Sequence, residues 1–401
     1  MSPEDLEQLL APRAPGRAVW CAFDADWYAA VHPQVRDAGI TGFDAARDHY
    51  VREGRGLGLS PNMFFDETWY LRRHPDAAAA VRSGQAGSGY EHYYTTGYLS
   101  LSPHWLYDEA TYVALSPDVS DAVLFETECV NLYDHYLRYG AREGRVAHLL
   151  FSPQAYADAI AGDPDALVAM LSSSAHEHYL LRMWSAQGGM AGGMTGEPVA
   201  SAYFDPAWFM DRYPDARAEI SAGRFCAALH AYLARPGSAE RDPNPQFSER
   251  FYLERHADAR AALAAGEVAS GFEHFLKIGV FDLRAPAPDV DLRAYAESRP
   301  ELPGLIAQGQ LRDVFEALRL SPPAPPVPVA APPPPEPPPP APTPAPPPPP
   351  PAAPPTAPEP VPEPVPAPVA VREGRGHVEF YGYHTASHGW MFCGWITRPV
   401  A

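Results

Sequence analysis

Residues 65–77 read Phe65-Asp-Glu-Thr-Trp-Tyr-Leu-Arg-Arg-His-Pro-Asp-Ala77. Asp66 follows an aromatic and precedes a helical run, which suits an N-cap accepting from exposed backbone amides. Phe65, just before the cap, is placed to staple onto the first turn. Pro75 cannot continue that helix, and it suits the first position of a second one. The Ala-rich run after it stops at Gly84. Thirteen residues therefore specify one short helix, a break and the start of another.

The phrase recurs. Phe23–Tyr28, Tyr107–Tyr112 and Phe204–Phe209 repeat it, and Phe151–Tyr156, Phe247–Tyr252 and Val290–Tyr295 are looser copies. Successive copies start 42–44 residues apart, with one step of 53. A second landmark follows each start: His49-Tyr50, His92-Tyr93, His135-Tyr136, His178-Tyr179 and His274-Phe275, with Ala231-Tyr232 in the fifth copy. A glycine stands four residues after the aromatic at Gly54, Gly97, Gly140 and Gly279. A third helix carrying this pair is expected, for example from Gly42 to Glu53, with Gly54 as its C′ residue. Periodic self-similarity of this length marks a repeat array, whose short helices are stable only when stacked.

The expected fold is mainly α: seven helical repeats of about 43 residues, then a disordered Pro-rich linker and a short C-terminal β-hairpin. The boundaries read as an N-terminal tail at 1–19 and repeats one to four at 20–190. A Gly-rich break follows at 191–203, then repeats five to seven at 204–320. The Pro-rich linker runs over 321–370 and a β-rich stub of a truncated domain over 371–401. The break holds part of Gln187-Gly-Gly-Met-Ala-Gly-Gly-Met194, which accounts for the long step. Of the 50 prolines in the 401 residues, 29 fall between Ser321 and Ala370, a stretch without glycine, aromatic or basic residues. Such a tract favours polyproline II and acts as a spacer. Beyond it, two aromatic-rich runs around Thr385-Ala-Ser-His-Gly389 read as a hairpin.

Charge and composition narrow the function. The formal net charge of −19 disfavours phosphate backbones, so nucleic acid is not an expected partner. No apolar run approaches the roughly 20 residues of a membrane span, and no Sec-type leader opens the chain. A cytoplasmic location is expected. The four cysteines, Cys21, Cys129, Cys226 and Cys393, lie far apart and form no C-x-x-C pair.

No catalytic, cofactor-binding or metal-binding residues are expected. One histidine per repeat cannot converge on one ion when helices pack about 8–10 Å apart. Each recurring histidine is expected to be half-buried and hydrogen-bonded to a neighbouring repeat. Asp24-Ala-Asp26 mimics a metal-binding Asp-x-Asp, but capping explains it better. Trp27, Trp69 and Trp208 recur at one register and are the candidate ligand-binding aromatics, with inter-repeat core as the competing role.

Two motifs carry a family resemblance: Phe65 to Ala77, and His135 to Arg145 with its His-Tyr-x-x-x-Gly-x-x-Glu-Gly-Arg pattern. They resemble a repeat of bacterial cell-surface and glycosyltransferase-associated proteins, over about 20–320. The tail from His377 to Arg398 is similar to the opening of a β-rich module of the same proteins. The resemblance implies a non-catalytic scaffold or binding module beside surface-polysaccharide machinery, with protein or glycan partners. The alternatives are the N-terminal part of a glycosyltransferase whose catalytic domain lies beyond residue 401, and an aromatic carbohydrate-binding array.

Overall fold

The computed structural model describes residues 3–14, 17–187, 196–234, 241–321, 376–384 and 389–396. The chain divides into two compact units, Met1–Pro322 and Pro323–Ala401. The first is mainly helical: its described residues form 22 α-helices, most of two turns, joined by tight turns. In the second, the backbone of Gly376–His384 pairs antiparallel with Gly389–Ile396. The proline tract, Gly188 to Thr195, and Arg372 to Arg375 lie outside the described residues.

The capping device is built as the sequence predicts. Asp24, Asp66, Asp108 and Asp205 accept from the amides of Trp27, Trp69, Thr111 and Trp208 at 2.7–2.9 Å. Where the Asp is missing, Ser152 and Ser248 do the same for Ala155 and Phe251. The residue before each cap staples onto the fourth helical position: Phe23 on Tyr28, Phe65 on Tyr70, Phe204 on Phe209 and Phe247 on Tyr252, with ring centroids 5.1–5.5 Å apart.

Each cap is also a joint. Its own N–H lies outside the helix and needs an acceptor. It donates forward to the loop that opens the next copy of the pattern. The pairs are Asp24 to Pro61 O, Asp66 to Pro103 O, Asp108 to Ala147 O, Ser152 to Ala200 O, Asp205 to Pro243 O and Ser248 to Pro286 O, at 2.7–3.2 Å. The residue after that carbonyl then folds its loop: Asn62, His104, His148, Ser201 and Asn244 each accept from the amide two residues on. The Asn62 amide also donates back to Trp20 O and Ala22 O.

Three expectations change. First, the recurring histidines bond within their own copy of the pattern. Nδ1 of His49, His92, His135, His178 and His274 meets the hydroxyl of Tyr28, Tyr70, Tyr112, Tyr156 and Tyr252 at 2.8–3.0 Å. The fifth copy replaces both partners, with Phe209 and Ala231, so no polar group is left alone. Second, Gly54, Gly97, Gly140 and Gly279 are not left-handed caps, as they are absent from the positive-φ glycines that include Gly84 and Gly223. They are glycines because a Cβ there would collide with the same tyrosine hydroxyl. Three of them end a π-helical turn: Tyr50–Gly54, Tyr136–Gly140 and Phe275–Gly279. Third, Pro33, Pro75 and Pro214 open second helices, whereas Pro117 does not. The helix there starts at Asp121, and Asp118 instead holds Arg145 through two 2.7 Å bonds.

The N-terminal segment joins the core. Pro3–Leu9 is helical, Leu9 and Leu10 are buried, and Phe23 N–H donates to Ala11 O. Distant segments also close on each other. Trp27 packs edge-on against Trp184 at 5.6 Å, Arg72 bonds Ala234 O across 162 residues, and Lys277 lies 3.8 Å from Asp108.

The Gly–Tyr–His packing gives a first prediction. Gly97→Ala should cost about 1–3 kcal/mol through overpacking. Removing the hydroxyl with Tyr70→Phe should relieve much of that cost. A urea double-mutant cycle should show coupling above about 0.5 kcal/mol, and additivity would contradict the contact.

Candidate functional site

The tryptophans singled out by sequence occupy the third position of their helices, where the capped amide sits. Trp27 and Trp69 are buried and Trp208 is half-buried. Trp27 packs on His32 and Trp184, and Trp208 on Tyr213. Trp69 meets the edge of His74 and also lines a cavity. Three separate rings at separate joints do not make one platform. Among the described residues no group of three or more His, Cys, Asp or Glu is placed to hold a metal ion. Asp24 caps its helix.

The repeat pattern hides a second set of acidic residues. Glu67, 1% exposed, accepts from the amides of Gly89 and Tyr90 at 2.5 and 2.9 Å. Glu249 does the same for Gly271 and Phe272, and Glu197 for Ala228 and Leu229. Each ties the start of one helix to a carboxylate elsewhere, filling the orphan donors of a helix N-terminus. Burial pushes the Glu67 and Glu249 carboxyls up to about 7, even though two amides and the helix end favour the charged form. Burial acts oppositely on histidines: it lowers His74 to about 4 and His176 to about 3, so these rings are held neutral.

One trio resembles a nucleophile site. Cys226 Sγ lies 3.5 Å from His230 Nδ1, and His230 Nε2 lies 3.0 Å from Asp66 Oδ2. The order thiol, imidazole, carboxylate is that of a cysteine hydrolase. Its environment is not. Cys226, His230 and Asp66 are 4%, 2% and 7% exposed, and none of them lines the cavity. Burial pushes the Cys226 thiol well up, away from the thiolate a nucleophile needs. The amide of Cys226 also donates to His230 Nδ1 at 3.2 Å, occupying the lone pair a general base would use. Trp105 stacks flat on His230 at 4.6 Å. Burial would raise the Asp66 carboxyl, but the bonds from His230 and the Trp69 amide outweigh it and hold the group below its ordinary value. This arrangement clamps the cap of Glu67–Arg73 onto the helix Ala228–Leu233. Sequence reading missed it because Asp66 lies about 160 residues before Cys226 and His230, with no local spacing to connect them.

Beside this clamp lies a cavity of about 1070 Å³. Its walls come from Trp69 to Ala114, His148 to Leu150, Tyr232 to Ala234 and Leu263 to Lys277. No helix among the described residues is long and apolar enough to cross a membrane. No family model, curated protein or solved structure matches this chain.

Two outcomes follow. Asp66→Ala leaves the buried His230 Nε2–H without its acceptor and removes a helix cap, so it should destabilise the chain by about 2–4 kcal/mol in denaturant unfolding. The raised carboxyl of Glu67 gives a pH-dependent term. A folded value of about 7 against 4.5 unfolded means the contribution is full below 4.5 and lost as pH rises through 7. Glu67→Gln lacks that loss. Between pH 5 and pH 8 its stability relative to wild type should improve by on the order of 2 kcal/mol, read from thermal melts. A pH-independent difference would contradict the buried protonation.

Proposed function

We propose that the chain is a non-catalytic helical repeat module, a scaffold or binding element associated with glycosyltransferase-type surface-polysaccharide proteins. In this reading, seven repeats of about 43 residues form one array. The paired strands at Gly376–His384 and Gly389–Ile396 belong to a separate β-rich module, and the array works in the cytoplasm, next to the polysaccharide machinery. One observation carries the non-catalytic reading. Among the described residues, the recurring side chains with chemical capacity serve the fold: aspartates as caps, histidines on tyrosine hydroxyls, glutamates on helix amides, and the thiol of Cys226 under cover. The motifs of Phe65–Ala77 and His135–Arg145 support the association with glycosyltransferase-type proteins.

The test is direct. The purified full chain, given UDP-, GDP- and CMP-sugars with divalent metal, should release nucleotide no faster than a protein-free blank. Robust release that disappears in Cys226→Ala, with the variant still folded, would contradict the proposal and point back to the buried trio.

A further inference from the structure

We propose that a second copy of this chain docks head to tail on the helical unit. The first helices of copies five and six of the pattern receive the third helices of copies one and two of the neighbouring molecule. The inference goes beyond the functional reading above and does not depend on it. It extends an interface that the chain already makes with itself. The first helix of copy one meets the third helix of copy four through Trp27 and Trp184, at 5.6 Å. Copy two meets copy five through Asp66 and His230 at 3.0 Å, and through Arg72 and Ala234 O at 3.0 Å. Copy three meets copy six through Asp108 and Lys277 at 3.8 Å. Each time, a first helix is covered by the third helix of the copy three places on, as stacked repeats bury their faces on one another.

That cover runs out at one end. The third position of the first helix is buried in copies one to three, at Trp27, Trp69 and Thr111. In copies four to seven the same position holds Ala155, Trp208 and Phe251, all half-buried, and Ala294, which is exposed. Asp291, the cap of copy seven, is exposed, whereas the six caps before it are half-buried or buried. The structure therefore shows what fits this face, because the same register earlier in the chain is closed by a third helix of the same pattern.

The opposite end supplies the matching surface. The N-terminal segment covers the third helix of copy three and part of that of copy two. Val19 N–H donates to Asp134 Oδ1 at 3.0 Å, Arg138 donates to Arg17 O at 2.9 Å, and Trp20 packs on Tyr93 at 4.8 Å. The third helix of copy one leaves Asp48 and Arg52 exposed, and that of copy two leaves Thr95 exposed. The two ends pair in register. The open third helices of copies one and two align with Trp208 and Phe251, and the covered copy three aligns with the small Ala294. Charge agrees with this pairing. Ala234 and Lys277 stand two residues after the landmark aromatic, and they meet Arg72 and Asp108 on the first helix. Arg52 holds that place in copy one, and Asp211 holds the place of Arg72 in copy five; both are exposed. Continuing the stack sets Arg52 of one molecule against Asp211 of the next. Asp211 now bonds the exposed Arg217, a surface pair of small energy that can be exchanged. A contact between two different surfaces does not close on itself, so the association is open-ended.

The experiment is sedimentation velocity of the full chain at low ionic strength, from low to high micromolar concentration. The expected result is an average sedimentation coefficient that keeps rising with concentration, without a plateau at a dimer. Arg52→Glu and Asp211→Arg each place like charges in the contact and should each weaken association by about five-fold or more. The double variant restores opposite charges and should recover the wild-type affinity. Arg82→Glu, an exposed reversal on a second helix, should change nothing. Unfolding midpoints of all four variants should match wild type, because every substituted residue is exposed. The proposal is overturned if the folded chain stays a monomer throughout, stops at a closed dimer, or associates equally well in both single reversals. Failure of the double variant to recover would also contradict the pairing of Arg52 with Asp211.

Discussion

The N–H of a helix-capping residue has to find an acceptor outside its own helix, and in six copies of the pattern the residue that caps the first helix finds an equivalent one. Asp24, Asp66, Asp108, Ser152, Asp205 and Ser248 reach forward to the loop that opens the next copy of the pattern. That single bond fixes where the next staple, the next cap and the next tyrosine are placed. The helices it joins are mostly six to nine residues long, too short to persist alone in water. Their stability therefore comes from the joint and from the aromatic rings that it brings together. Asn62 shows how closely the parts depend on each other. One side chain folds its own turn and also bonds two carbonyls of the preceding segment.

A second level of organisation rests on the first. Once the joints set the geometry, segments about 160 residues apart come together, and polar groups become buried at their contacts. Asp66 caps its own helix with one oxygen and holds His230 with the other. The contact that buries this pair also encloses the cavity next to it. The chemistry at this level is mostly restraint: neutral histidines, raised carboxyls and a raised thiol are what burial produces when each group is given a structural partner.

Much of the local design was legible in the sequence, because it rests on adjacent residues. Asp66 behind Phe65 announces a cap and a staple, and Pro75 announces a new helix, because each works within a single turn. Gly54 was misread for a physical reason. A glycine after a helix commonly means a left-handed cap, whereas here it makes room for the hydroxyl of Tyr28, which lies 26 residues earlier. The partner of His49 was misplaced for the same reason: the contact is inside the copy, between its first and third helices. A recurrent signal was available for the loop turns, since Pro61-Asn62, Pro103-His104 and Pro243-Asn244 stand before three joints. The buried trio and the cavity had no such signal. Each depends on which distant copies meet, and that is decided by the accumulated angle of the joints.

Native-state hydrogen exchange at the joint amides tests the account most directly. If the joints and the long-range clamps make the helical unit one cooperative structure, the amides of Asp24, Asp66, Asp108, Ser152, Asp205 and Ser248 will exchange together. Their opening free energy will equal that of global unfolding by denaturant. Exchange of these amides through separate local openings, with the protection of one joint unrelated to the next, would contradict it.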